Sequence, residues 1–345
     1  MPDRCPLAVV HVAVDAHNLT RDERGIGRYA RAVLARALRA PDVRFTLVVR
    51  DLFPDRRAIA RAAGGEVAVA RRIPRDADVV WFPWNGTFLQ TDLPSVATVH
   101  DATPFAYPAA DSRVRRREQE PFLVTAARAR RILVQSAFTA GEVTRWLGVD
   151  PARIVVTPLG VDPVFAPGAL DALPAALRGR HYVLYVGAHE ERKNSATLID
   201  AVTRAFPAGE PVLAFTHRPP VLPPHGVVVA ARDDATLVAL YRGATLIALP
   251  SPYEGFGLPL LEALACGTPA LAAQAGALPE VGGDAVAYVE AVHDVAAWSA
   301  ALQALVADES GRAELARRGP ARAAQFSWER CTAQTLDVLA AAARS

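Results

Sequence analysis

Lysine is almost missing from this chain. Of its 38 basic residues only Lys193 is not arginine, and asparagine is confined to positions 18, 85 and 194. A GC-rich genome accounts for such a bias, and a lysine that survives it stands out, because a compact ammonium differs chemically from a planar guanidinium. Cysteine is scarce as well. Cys5, Cys266 and Cys331 lie far apart without CxxC or Cys/His spacing, which excludes a disulfide framework and a structural zinc site and fits a reducing cytoplasm. No apolar run approaches the roughly 20 residues of a membrane span, and the opening Met1-Pro2-Asp3-Arg4-Cys5-Pro6 lacks the apolar core of a signal peptide. A soluble chain, or one lying on a membrane, is the expectation. Net charge is small, +2 from 38 basic and 36 acidic residues, so no global field marks a nucleic-acid binder. The charge is unevenly spread: residues 1–165 carry 24 arginines against 18 acidic residues, and 166–345 carry 14 basic against 18 acidic. An anionic partner is expected at the basic first half.

What is present is ample apolar material. A chain of 345 residues that is 51% hydrophobic can build two cores. Short runs rich in Val and Leu alternate with Ala/Arg/Leu segments of helical period, the pattern of parallel α/β architecture. A first series reads as buried strands at Leu7–Val14, Phe45–Val49, Val79–Phe82, Val96–Val99, Ile132–Val134 and Ile154–Thr157, with a helix over 28–40. Thr139-Ala-Gly-Glu142 predicts a capping box, and Asp150-Pro151 a cap ahead of a first-turn proline. Prolines and glycines break the periodicity across 163–180, and we place a linker at 166–180. A second series follows, with strands at Tyr182–Val186, Val212–Phe215, Val227–Val229, Leu246–Leu249 and Ala270–Ala272. Helices are expected near 194–206, 234–243, 258–266, 293–307 and 309–324. In doubly wound sheets ligands bind beyond the carboxyl ends of the strands. Chemistry is therefore sought in the loops there, and in a cleft between two domains.

Gly25-Ile-Gly27-Arg-Tyr-Ala30 fits GxGxx(G/A), but ten residues separate Asp15, at the end of the first strand, from Gly25. A dinucleotide turn needs its first glycine almost at once after the strand. Two readings stay open: a flexible loop ahead of a helix, or a loop facing phosphate or acceptor, with Asp15 and His17 placed for either. His100-Asp101 follows another strand; His100 could donate to a sugar or phosphate oxygen if Asp101 fixes its tautomer. Asp76-Ala-Asp78 resembles a metal-holding DxD but precedes its strand, at the wrong end of the sheet, and is discounted.

In the second half, Tyr182–Val186 runs into Gly187-Ala-His-Glu-Glu-Arg192-Lys193-Asn194 and then a helix. Cations at a helix start oppose the macrodipole unless an anion is shared between them and the unpaired N–H groups, as a diphosphate would be. After the strand Leu246–Leu249 comes Ser251-Pro-Tyr-Glu254-Gly-Phe256-Gly257-Leu258-Pro-Leu-Leu-Glu262. Its glycines let a ligand approach the backbone, and Pro259 opens a helix. Glu254 and Glu262 are separated by about 12 Å if helical, too far for a retaining-hydrolase dyad at about 5 Å. Two hydroxyl-binding groups at opposite ends of an extended nucleotide-sugar suit that span.

These residues resemble family 4 retaining glycosyltransferases of GT-B fold, in particular bacterial mannosyltransferase-like members that build cell-surface polysaccharide. The likeness runs through ERGIGRYARAVL at 23–34, TVHDATPFAYP at 98–108, VQSAFTAGEV at 134–143 and IVVTPLGVDPVF at 154–165. It continues through YVGAHEERKN at 185–194, LPSPYEGFGLPLLEALACGTPAL at 249–271, LPEVGGDAVAYV at 278–289 and FSWERCTAQTL at 326–336. The E-x7-E segment joined to the RKN loop is its most specific part.

The resemblance implies an α/β, GT-B architecture of two doubly wound Rossmann-like domains facing across a cleft. An acceptor-binding domain at 1–165 and a nucleotide-sugar domain at 181–327 are expected, with a last helix at 328–345 crossing back to the first. It implies that Glu262 binds the ribose hydroxyls, Glu254 the transferred sugar, and Arg192 with Lys193 the diphosphate. The N–H groups of Phe256, Gly257 and Leu258 join the anion site, and Gly187 lines it. Catalytic roles then fall to Arg192, Lys193, Glu254 and His100; the acceptor or phosphate loop is assigned to Asp15, Gly25, Gly27 and Asp101. No metal and no cofactor beyond the GDP- or UDP-linked donor sugar is expected. A non-hydrolysing sugar-nucleotide epimerase and a catalytically silent sugar-binding subunit remain alternatives, against which the intact Arg192, Lys193, Glu254 and Glu262 weigh. Arg113, Arg115, Arg116 and Arg117 form a basic cluster, read either as a solvated helix face or as contact with anionic lipid on the inner face of the plasma membrane, where a lipid-linked acceptor would be met. The helix carrying them is expected to break at Pro121.

Overall fold

The computed structural model describes residues 9–23, 25–170 and 173–344, so Cys5 and the first residues of the strand expected at 7–14 lie outside the described residues. The chain forms two compact units, one of 1–160 with 327–345, the other of 161–326.

The first unit runs β1 (Val10–Asp15), α1 (Gly25–Ala37), β2 (Val43–Val48), α2 (Arg56–Ala63), β3 (Ala68–Ala70), β4 (Val79–Phe82) and β5 (Ser95–Thr98). Then follow α3 (Thr103–Ala106), α4 (Ser112–Arg128), β6 (Arg131–Val134), α5 (Ala137–Leu147) and β7 (Ile154–Val156). Its seven strands lie in the order β3-β2-β1-β4-β5-β6-β7, every pairing parallel. Because both faces are covered, the central strands are apolar throughout: Val79, Val80, Trp81 and Phe82 are all fully buried. The turn energetics differ from the sequence expectation in several places. Gly25 and Gly27 are the first turn of α1 and not a loop before it. A Cβ on Gly27 would fall 1.8 Å from the Asp22 carbonyl oxygen, so the helix start packs directly on the preceding loop. The cap of α5 is Ser136, whose hydroxyl accepts from the Thr139 N–H, and not Thr139 itself. Asp150 caps a single 3₁₀ turn. Pro121 sits inside a continuous α4, so no break follows the arginine cluster; its carbonyl accepts from the Thr87 N–H. The discounted Asp76 and Asp78 lie at the amino end of β4: Asp78 accepts from the His11 N–H and Asp76 pairs with Arg44.

The second unit runs β8 (Tyr182–Tyr185), α6 (Ser195–Ala205), β9 (Val212–Phe215), β10 (Gly226–Val228), α7 (Asp234–Gly243), β11 (Leu246–Leu249) and α8 (Leu258–Cys266). It continues with β12 (Ala270–Ala273), α9 (Leu278–Gly282), β13 (Ala287–Val289), α10 (Val295–Ala307) and α11 (Glu309–Ala323). Six parallel strands lie in the order β10-β9-β8-β11-β12-β13. The stretch 166–180, expected as a linker, belongs to this unit: Arg242 donates to the Ala166 and Ala169 carbonyls and Leu177 is fully buried. The last helix, α12 (Trp328–Arg344), belongs to the first unit. It buries Trp328, Cys331, Thr335 and Leu339, pairs Glu329 with Arg36, and accepts from Arg130 at the Ala342 carbonyl. The described residues include no helix long and apolar enough to cross a membrane.

Candidate functional site

Each sheet has one place where the strand order reverses, and there two neighbouring strands send their following loops to opposite sides and open a crevice. In the second unit it lies between β8 and β11. These are the two strands that precede the RKN loop and the E-x7-E loop, so the topology itself brings the two motifs together.

Lys193 Nζ donates to Glu254 Oε1, and both side chains are mostly buried. The Ser251 hydroxyl donates to the Arg192 carbonyl at 2.9 Å. Arg192 Nε lies 2.9 Å from Glu190 Oε2 as an ion pair, with an N–H that is not aimed at the carboxylate. Asn194 closes the arrangement. It is the only described non-glycine residue at positive φ, 51°, and its amide donates to the carbonyls of Pro250 and Val292 while accepting from Thr197. A side chain that satisfies two carbonyls of other segments offsets the cost of a left-handed backbone. Glu262, one turn inside α8, is buried and its Oε2 accepts from the Tyr241 hydroxyl at 2.8 Å. Gly257 (φ 99°) turns the chain into α8 with Pro259 in the first turn, and the first N–H groups of such a helix lack intrahelical partners. Gly187 (φ 135°) donates its N–H to the Thr216 hydroxyl, and a Cβ there would meet nothing within 4 Å. Burial, together with the Glu254 charge, pushes the Tyr185 hydroxyl up. Burial raises the Cys266 thiol to about 12, which leaves it inert beside the site.

In the first unit the reversal lies between β1 and β4. Asp15 is fully buried at the end of β1, with Oδ1 2.8 Å from His17 Nδ1. The Trp84 indole N–H, from the loop after β4, donates to the Asp15 carbonyl at 2.7 Å. His100, after β5, is buried; its N–H donates to Asn85 Oδ1 at 2.6 Å and its Nε2 donates to the Pro83 carbonyl at 2.9 Å. That carbonyl, and not Asp101, therefore fixes the tautomer, and the neutral ring can accept but not donate at Nδ1. Burial holds the His100 imidazole below its ordinary value despite the Pro83 bond. Asp101 is occupied instead with the Thr103 N–H, at the start of α3. Gly25 and Gly27 lie in the first turn of α1.

Two site-building residues escape sequence reading. Asn194 carries a signal, since it is one of only three asparagines. All three stand in loops beyond strands: Asn18 accepts backbone N–H groups from Arg21 and Asp22 at its carbonyl, Asn85 holds His100, and Asn194 ties its own loop to those of Pro250 and Val292. Gly276 carries none. At φ 61° it packs its backbone against Glu254, where a Cβ would lie 2.8 Å from the Glu254 nitrogen, and the next residue, Ala277, donates to the Glu254 carbonyl. Among the described residues no cluster of three or more His, Cys, Asp or Glu is placed to hold a metal ion.

Two doubly wound parallel units, one with paired cations and spaced carboxylates at its switch point, are what the resemblance to GT-B glycosyltransferases implies, and comparison with known proteins identifies the chain as one. The chain is similar to sucrose-phosphate synthase from Thermosynechococcus elongatus, with a TM-score of 0.74 at 20% identity, over 95% of this chain and 97% of that one. Residues 10–165 match the model described as Glycosyltransferase Family 4, and residues 222–322 that of Glycosyl transferases group 1. It is 34% identical over 269 residues to the O-antigen chain mannosyltransferase B of Escherichia coli, covering 70% of this chain and 69% of the relative. To a D-inositol 3-phosphate glycosyltransferase of Segniliparus rotundus it is 33% identical over 225 residues, 59% of this chain and 50% of the relative, so it spans half of that protein's length. The chain belongs to glycosyltransferase family 4.

Proposed function

We propose that this protein transfers a hexose, with mannose favoured, from a nucleoside-diphosphate sugar to a saccharide or lipid-linked acceptor, in cell-surface polysaccharide or glycoconjugate synthesis. The observation that carries the reading is the joining of the cation-bearing loop to the E-x7-E loop through Lys193–Glu254 and Ser251–Arg192. A diphosphate calls for positive charge and unpaired N–H groups, and sugar hydroxyls call for carboxylate acceptors; both are supplied within one switch-point crevice. Arg192 and Lys193 take the diphosphate with the N–H groups of Phe256, Gly257 and Leu258, beside Gly187. Glu254 takes the transferred sugar and Glu262 the ribose. As the anomeric C–O bond breaks, charge collects on the departing β-phosphate, which the two cations stabilise more than the ground state. The first unit provides the acceptor side, with Asp15, His100 and Asp101 at its strand ends and Gly25 and Gly27 in the first turn of α1. Likeness to a mannosyltransferase favours GDP-mannose as donor. Transfer proceeds with retention and without a metal.

The test is incubation with GDP-mannose and with UDP-hexoses, following released nucleoside diphosphate with and without saccharide acceptor, in EDTA and with added manganese. Release that rises with acceptor, persists in EDTA and gives an α-linked product by NMR is expected. Release from no donor sinks the reading, and activity that needs manganese sinks the metal-free part. We further propose that Arg113, Arg115, Arg116 and Arg117, at the start of α4, meet anionic lipid on the cytoplasmic side, each adding about 1 kcal/mol near the surface. Sedimentation with anionic vesicles at low salt checks this: binding should fall with salt and with the four arginines changed to Gln.

A further inference from the structure

The groups gathered at the first unit's switch point say more about the acceptor than its family does. Asp15 is fully buried, and a carboxylate can only accept, so the hydrogen shared with His17 sits on Nδ1. In the neutral ring Nε2 then presents a lone pair, and it has no partner among the described residues. The ring stands edge-on to Trp84 and Phe88, at centroid distances of 5.8 and 5.2 Å, with Phe88 itself partly exposed. Asp15 Oδ2 is buried without a hydrogen-bond partner. Buried polar atoms left unpartnered are rare enough to call for an explanation.

We infer that His17, oriented by Asp15, binds the acceptor by accepting a hydrogen bond from one of its hydroxyls at Nε2, and that the acceptor at this point is a neutral saccharide and not a phosphorylated polyol. The inference deepens the glycosyl-transfer reading and rests on it. A hydroxyl supplies the hydrogen that the Nε2 lone pair lacks, and the apolar face of a pyranose packs on an exposed aromatic such as Phe88. A phosphate in the same place would stand against the buried Asp15 carboxylate behind the ring, which repels it. Asp15 is a positioning residue in this account.

Three substitutions separate binding from local structure, because the δ atom of Asn overlays Nδ1 and the ε atoms of Gln reach the place of Nε2. His17→Ala and His17→Asn should raise the KM for methyl α-mannopyranoside about tenfold, as expected for one lost hydrogen bond to substrate. Donor KM should stay within about twofold and Tm unchanged, while His17→Gln restores acceptor KM. Saturation-transfer NMR of methyl α-mannopyranoside, which needs no donor, should show the same order and should show no comparable signal from inositol 3-phosphate. Wild-type acceptor binding in His17→Asn, a donor KM that rises in step, or preference for inositol 3-phosphate overturns the inference. Absence of donor turnover in the wild type, with the NMR order intact, would count against glycosyl transfer alone.

Discussion

The lone lysine is engaged with Glu254 across two loops, a contact that arginine's planar fork cannot reproduce in the same space. Lys193→Ala and Arg192→Ala should each lower kcat about a hundredfold with little change in donor KM, because the charge they meet is largest as the bond breaks. Lys193→Arg should also be impaired, and full activity in that variant would make the surviving lysine accidental. If Glu262 binds the nucleotide as proposed, Glu262→Gln should weaken nucleoside diphosphate about tenfold by calorimetry, since an amide keeps one acceptor end where the carboxylate has two. Unchanged nucleotide affinity with poorer binding of the sugar-bearing donor would exchange the roles of the two glutamates. His100 titrates with stability. Burial lowers its pKa below the ordinary 6.5, so on acidification the unfolded chain takes up the proton first. Its contribution is complete above that value and is lost as pH falls beneath it. Thermal midpoints at about pH 7.5 and pH 5.5 should fall further apart in the wild type than in His100→Gln, which keeps a donor for Pro83 but does not titrate.

At the scale of elements, the site at the β8/β11 switch point depends on how loops are tied and less on any one helix. Asn194 spans the segments before α6, after β11 and before α10 through its amide. Asn194→Gly keeps the left-handed backbone and deletes those bonds; Asn194→Ala loses both. Turnover should therefore fall in both variants, with Ala destabilised by about 1 kcal/mol more than Gly from backbone strain. Equal Tm values for the two would show that the conformation is not what the asparagine provides. The same logic explains Gly27 and Gly276, where backbone rests on backbone and no side chain fits.

At the scale of the molecule, the chain leaves the first unit after Gly160 and re-enters it at Ser327. A Cβ on Gly160 would lie 2.1 Å from the Trp328 nitrogen, so the outgoing and returning segments touch through their backbones. Trp328 is fully buried in α12, which makes the chain's last helix part of the first unit's core. Trp328→Ala should destabilise that unit by about 3 to 5 kcal/mol. Nucleoside diphosphate affinity, which the proposed function places in the second unit, should hold at temperatures below the new transition. Scanning calorimetry with and without nucleotide checks this: only the transition that ligand does not shift should move.

The sequence by itself determined the parallel α/β class and most of the buried strands, because a strand covered on both faces must be apolar from end to end, as 79–82 and 246–249 are. It also determined the two donor-side motifs, since glycine, proline and charge at fixed spacing are local properties. Short or half-buried elements escaped it. The strands β3 and β13 are not among those expected from an apolar run, and α4 runs unbroken through Pro121. Tertiary structure alone decided which groups meet. Strand order placed β8 beside β11 and β1 beside β4, across gaps of sequence that no spacing rule spans. It gave His100 to the Pro83 carbonyl in place of its neighbour Asp101. Hydrogen bonds are made to whatever the packed chain brings within 3 Å, and adjacency in sequence decides that only inside a turn.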